Sequence, residues 1–174
     1  MRVDLSTEAR NLAIEHGGVA ETQGVRVAVR APAPVDVNAD RQAVHTCVVN
    51  LLSNALRHAP RNSTVTIEAG IVGEWGFIAV HDDGPGIEPD DHAFVFRRNW
   101  RGRYERQRDG TRGLGCTIAR QVAESQRGRI TLASTVGVGS TFVLWLPSVD
   151  DADPSAVVAD DGIHHRPALA RPSI

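Results

Sequence analysis

Apolar residues recur along this chain with two periods, and the switches between them divide it into elements. Alternation marks 25–31 (VRVAVRA) as a strand, with a short second one at 35–38 (VDVN) after Pro32 and Pro34. Residues 64–72 (TVTIEAGIV) and 75–82 (WGFIAVHD) read as two strands of a hairpin turning at Gly73-Glu74. A last hairpin joins 128–134 (GRITLAS) to 140–147 (STFVLWLP) around Gly137 and Gly139. Three stretches follow the helical period instead. The first, from residue 5 to about 16, is expected to stop at Gly17-Gly18. The second runs from a cap at Asp40 to Arg57 and is closed by Pro60, and the third runs from about Leu114 to Ser125. The pattern is therefore α plus β: roughly six strands, mostly in antiparallel hairpins, with three helices covering one face.

Two segments fit neither period. Residues 88–112 are charged and poor in aliphatics, and a connection of that length inside a domain is usually functional or disordered. Beyond Pro147 the chain turns to Asp, Pro and Ala, so residues 148–174 are expected to form a disordered tail. His164-His165 lies in that tail with no third ligand nearby, which argues against a metal site.

Composition changes this picture little. With 174 residues and a net charge of −2, the chain can bury a core, and nothing global calls for nucleic acid or an anionic membrane. All 19 basic residues are Arg, which fits a GC-rich source, and seven of them fall between Arg97 and Arg112. Cys47 and Cys116 sit in apolar helical patterns without metal-type spacing, so each is expected to act as a small hydrophobe. No stretch is apolar enough to span a bilayer or serve as a signal peptide, which points to a cytoplasmic domain.

Candidate chemistry concentrates in three places. HDDGPGI (81–87) leaves two carboxylates at the end of a strand and follows them with Gly84 and Gly86. A plain turn would account for it, since glycine and proline are turn residues. NLLSNALRHAP (50–60) places Asn50, Asn54, Arg57 and His58 on one helix face, apart from the apolar side formed by Val44, Val48, Leu52 and Ala55. A wet surface would account for Arg57. Two stacked asparagines are harder to explain so, because Asn costs ~0.5 kcal/mol against Ala in a helix. Amide oxygens suit a hard cation such as Mg²⁺, and Arg and His suit phosphate. DGTRGLGCTIARQV (109–122) sets glycines before an apolar helix, whose free N–H groups favour anions. It is neither a Walker A nor a Rossmann fingerprint.

Together these stretches resemble the ATP-binding catalytic domain of two-component sensor histidine kinases. That family shares its nucleotide fold with DNA gyrase, the large heat-shock chaperone and mismatch-repair ATPases. The resemblance covers residues 3–147. It includes the Asn box NLLSNALRHAP, the glycine box DDGPGI, the aromatic box FVFRRNWRG, the second glycine box RGLGCTIARQV and the closing GRITLAS…GVGSTFVLWLP. It implies a two-layer α/β sandwich of the Bergerat type, with helices on one face of a mixed, mostly antiparallel sheet, a catalytic domain over 1–147 and an ATP lid at 88–112.

The resemblance also implies roles. Asp82 matches the carboxylate that accepts a hydrogen bond from the adenine amino group, and Gly84 and Gly86 let the backbone approach the base. Asn54 matches the ligand of Mg²⁺. Asn50 stands where hydrolysing relatives carry a catalytic Glu, so slow hydrolysis is implied. Arg57 and His58 match positions near phosphates and adenine, Arg101 a lid arginine, and Gly113 and Gly115 phosphate-cradling glycines. Ile87, Leu114 and Thr141 complete the implied nucleotide contacts. The sequence departs from the family pattern at Asn99 (usually Phe), Thr111 (usually Gly) and Cys116 (usually Leu).

Such kinases phosphorylate a histidine on a separate helical hairpin, and none of the seven histidines here has that setting. The expected reaction is transfer of the ATP γ-phosphoryl group to a histidine on that absent dimerisation domain, for onward passage to a response-regulator aspartate. The domain alone is expected to be a monomer unable to phosphorylate itself, with its parent kinase either soluble or anchored in the cell membrane. Two other readings fit the boxes less well: a non-catalytic nucleotide-binding signalling module, and an anti-sigma-type Ser/Thr kinase, whose amide box usually begins with Glu.

Overall fold

The computed structural model describes residues 1–98 and 114–149. The first strand, β1 (Arg2–Asp4), runs into helix α1 (Leu5–Thr22), and two strands follow, β2 (Arg26–Arg30) and β3 (Asp36–Asn38). Helix α2 (Arg41–His58) leads to β4 (Thr64–Val72) and β5 (Trp75–Asp82). After a 3-10 turn at Pro89–Asp91 come α3 (Gly115–Ser125), β6 (Arg129–Thr135) and β7 (Gly139–Pro147). The main sheet has the order β2-β4-β5-β7-β6. Among the described strands only β2 and β4 pair in parallel, so the sheet is mixed and mostly antiparallel, as expected.

All three helices lie on one face. Helix α1 packs on β2, β4 and β5; α2 on β4, β5 and β7; α3 on β6 and β7. Val65, Ile67, Ile78, Val80, Phe142 and Leu144 point from the strands into this layer, where they meet Leu12, Val48, Leu51 and Leu52 of the helices. Burial at this level, about 25 cal/mol per Å² of apolar surface, is what holds the two layers together. A smaller cluster occupies the outer face. There Phe77 and Trp145 meet at 5.4 Å between ring centroids, flanked by Ala79 and Val143.

Three expectations need correction. Helix α1 does not stop at Gly17-Gly18 but continues to Thr22, because Ala20 beyond the glycines is fully buried and anchors the last turn. The chain reverses instead at Gly24, whose φ of +73° is the left-handed geometry of a helix end. There are seven described strands, not six: β1 is too short for alternation to show, and it pairs with β3 in a separate two-stranded sheet. The ordered body also runs past residue 147, since Ser148 and Val149 N–H groups donate to Glu74 and Asp36 carbonyls. Residues 150–174, including His164-His165, lie outside the described residues, as do positions 99–113 of the expected lid.

Candidate functional site

Strand β5 ends in Asp82, which is only 7% exposed. Burial pushes its carboxyl up to about 6, while hydrogen bonds from the Gly84 and Ser140 backbone hold it down and the Asp83 charge adds to the rise. The Gly84 N–H donates to Asp82 Oδ1 at 2.8 Å. Two of the glycines around it are dictated by contact. A Cβ on Gly84 would lie 2.6 Å from Asp82 Oδ1 and 3.0 Å from the His58 carbonyl oxygen. Gly86 has φ +73° and abuts the Thr135 carbonyl so closely that a Cβ would overlap it. The loop is therefore more than a turn: at Gly84 it packs against both the Asp82 carboxylate and the last turn of α2.

Helix α2 forms one wall from that point onward. His58, half-buried, and Arg57, exposed, stand at the Asp82 end. Two turns back, Asn50 Nδ2 donates to the Thr46 carbonyl at 2.7 Å, which leaves Oδ1 directed outward. That oxygen lies 3.4 Å from where a Gly115 Cβ would be, so it faces the start of α3. Half-buried Asn54 sits midway. From Asn50 to His58 is eight residues, or about 12 Å along the helix axis. The wall thus offers an acidic acceptor at one end, an amide in the middle and an amide oxygen beside a helix N-terminus at the other. Among the described residues, that N-terminus, Leu114 followed by Gly115, has no side-chain cap, a helix start whose N–H groups suit an anion.

The beginning of the expected lid is tied to this body. Val95 is buried, Phe96 packs edge-on against Phe142 at 6.0 Å, and the Thr117 hydroxyl of α3 donates to the Phe96 carbonyl at 3.1 Å. Arg97 lies over the Phe94 ring at 4.4 Å. Arg101, Gly113, Asn99 and Thr111 lie outside the described residues. Cys47 is buried in α2, its thiol pushed up to about 12 by burial, and Cys116 is half-buried in α3; both fill space as expected.

One proposed contact is not brought into the site. Thr141 pairs with His81 across β5 and β7, and its hydroxyl meets His81 Nδ1 at 2.8 Å on the outer face, away from α2. Successive residues of a strand face opposite ways, so the neighbour, Ser140, takes the inner position opposite Asp82. Its hydroxyl lies 2.9 Å from that of Ser134, which in turn accepts the Ile87 N–H at 2.8 Å. This serine pair holds the glycine loop to the β6–β7 hairpin. No motif pointed to it, because STFVLWLP is apolar on both faces and hides which positions face inward.

Residues 39–150 match the family model described as histidine kinase-, DNA gyrase B- and HSP90-like ATPase, which is well over half of the chain. The chain belongs to this ATPase family. The sensor-like histidine kinase SenX3 of Mycobacterium tuberculosis is 38% identical over 151 residues, 86% of this chain and 37% of that protein. Among solved structures, the mycobacterial sensor histidine kinase MprB superposes with a TM-score of 0.74 at 25% identity, covering 85% of this chain and 98% of that one. Full-length ShkA, solved with AMPPNP, gives a TM-score of 0.75 at 23% identity, covering 88% of this chain and 32% of that one, which shows the shared fold. This member of the ATPase family thus spans little more than a third of the SenX3 chain. Among its described residues, no helix is long and apolar enough to cross a membrane.

Proposed function

We propose that residues 1–147 form the catalytic domain of a sensor histidine kinase, with a lid at 88–112, which binds Mg-ATP along α2 and donates the γ-phosphoryl group to a histidine on a separate hairpin domain. The observation that carries this is the polarity of the α2 wall: a buried carboxylate acceptor beside glycines at one end, and Asn50 Oδ1 facing the N-terminus of a helix at the other. Asp82 accepts from the adenine amino group and disfavours guanine, whose carbonyl would face it. Gly84, Gly86 and Ile87 admit the base, with His58 and Arg57 above it. Gly113, Leu114 and Gly115 receive phosphate oxygens on backbone N–H groups, and Arg101 closes over them.

The amide ridge fits a hard cation through its oxygens, and Asn54 would hold it. Bound Mg²⁺ would neutralise phosphate charge during transfer. Asn50 contributes by omission: an amide takes no proton from water at neutral pH, so hydrolysis competes poorly with transfer. In the transfer itself the partner histidine nitrogen forms a bond to the γ-phosphorus as the bond to the β–γ bridging oxygen breaks, leaving ADP. A response-regulator aspartate is the proposed destination of the phosphoryl group. ATP analogue binding by ShkA and the kinase names of the relatives support this reading.

Calorimetric titration of Mg-ATP into the native chain and into Asp82→Ala tests it. Losing a charged hydrogen bond to adenine should weaken binding by about 10- to 100-fold. A native chain that binds no adenine nucleotide would overturn the proposal. A chain that binds ATP yet never labels its own parent's hairpin would reduce it to a nucleotide-binding signalling module.

A further inference from the structure

Directly behind Asp82, on the outer face of the sheet, three polar side chains from three strands are joined in a row, His81 and Thr141 buried and Glu68 partly so. His81, 9% exposed, holds Thr141 Oγ1 of β7 at 2.8 Å through Nδ1 and Glu68 Oε2 of β4 at 3.0 Å through Nε2. Thr141 lies straight across from His81, while Glu68 lies diagonally, two residues beyond the register partner Thr66. The order Glu–His–Thr is that of a nucleophilic triad, but Thr141 is only 2% exposed, and no substrate can reach it. The row therefore does mechanical work.

We infer that His81 is a positioning residue for adenine recognition: its two ring nitrogens lock β4, β5 and β7 together at the point where β5 delivers Asp82 to the site. This rests on the nucleotide reading given above. Three lines of physical argument support it. Apolar residues continue the same face at Ala79, Phe77 and Val143, so a hydrophobic side chain would fill the position without any need to satisfy polar atoms. A paired network with its centre buried, by contrast, favours one arrangement of its strands. The site has no slack for another: a Cβ on Gly139 would overlap the Asp82 carbonyl, so a small slip of β7 against β5 displaces Asp82.

Either form of the ring can make both bonds. In the neutral ring Nε2–H donates to Glu68 and the Thr141 hydroxyl donates to Nδ1. In the imidazolium both nitrogens donate, and the Thr141 hydroxyl turns to accept. Both bonds survive either way.

The test is calorimetric titration of ADP into the full chain, His81→Phe, Asp82→Ala and the double variant, with melting curves recorded for each. His81→Phe keeps a flat ring and loses both bonds, and should weaken ADP binding roughly three- to tenfold. In the Asp82→Ala background the same change should do nothing further, since His81 acts only through Asp82. A merely structural histidine would lower affinity by the same factor in both backgrounds, and that additive result would overturn the inference. Should His81→Phe fail to fold, Thr141→Val takes its place in the same cycle, with the same two outcomes. If the native chain binds ADP and His81→Phe binds it equally, the lock fails alone. If the native chain binds no ADP, the nucleotide reading fails and takes the lock with it.

Discussion

A carboxylate with almost no water around it is an unusual thing to keep at a strand end. Asp82 rises from its ordinary 3.8 to about 6 because burial disfavours its charge more than the Gly84 and Ser140 N–H groups favour it. The folded chain therefore holds this proton more tightly than the unfolded one. Between about pH 4 and 6 the native state binds more protons, so the Asp82 contribution to stability falls as pH rises and its full cost is felt above pH 6. Two units correspond to ~3 kcal/mol at neutral pH. Asp82→Asn removes the ionisation while its amide oxygen can still accept from Gly84. Denaturant unfolding should show the variant more stable than native near pH 7 by up to ~3 kcal/mol, with the gap closing below about pH 4. A gap of the same size at both pH values would sink the argument. ADP affinity should fall in the same variant, which is the trade expected of a site kept at the expense of stability. Asp82, Asn50, Gly84 and Gly86 were legible in the sequence because each belongs to a short motif with its own chemistry. Ser134, Ser140 and the His81 row were not, because what defines them is cross-strand register, which no local pattern carries.

At the level of elements, α1 and the glycine loop use glycine in opposite ways. Gly17 and Gly18 lie inside α1, and a Cβ at either would meet nothing within 4 Å. They cost the helix backbone entropy without serving packing, which is why local propensity misplaced its end: burial of Leu5, Ala9, Leu12 and Ala20 outweighs them. Replacing each by Ala should stabilise the chain by ~1 kcal/mol, and the pair should raise the melting temperature by roughly 4–8 °C. Gly86 should behave in the reverse sense. Its φ of +73° and its contact with Thr135 leave no room, so Gly86→Ala should destabilise by at least ~1–3 kcal/mol. Thermal scans of the variants decide both; a destabilised α1 double variant would mean that the helix is held by something other than its buried face. The hairpins were readable because their turns carry their own residues. The parallel pairing of β2 with β4 was not, since α2 separates them in sequence and only the shared core brings them together.

For the molecule as a whole, the question is where a phosphoryl group could go. Within the described residues the histidines are already engaged in the fold. His16 bonds the Leu12 carbonyl, His45 the buried Glu8 carboxylate at 2.8 Å, His81 the row behind Asp82, and His92 the Ile87 carbonyl. His58 stands on the wall of the site itself. A histidine acceptor must present a ring nitrogen in line with the γ-phosphorus, and a ring nitrogen committed to an internal hydrogen bond is poorly placed to do so. The proposed reaction places the acceptor on a second domain, and the chain itself spans 37% of SenX3. Incubated alone with γ-labelled ATP and Mg²⁺, the 18.8 kDa chain should take up no acid-labile, base-stable label, and light scattering should show a monomer with or without nucleotide. Adding the histidine-bearing hairpin of its own parent kinase should place label on that hairpin, and Asp82→Ala should slow the labelling most at low ATP. Label on the isolated chain would mean that a histidine of its own serves as acceptor, and the division of labour between two domains would have to be abandoned.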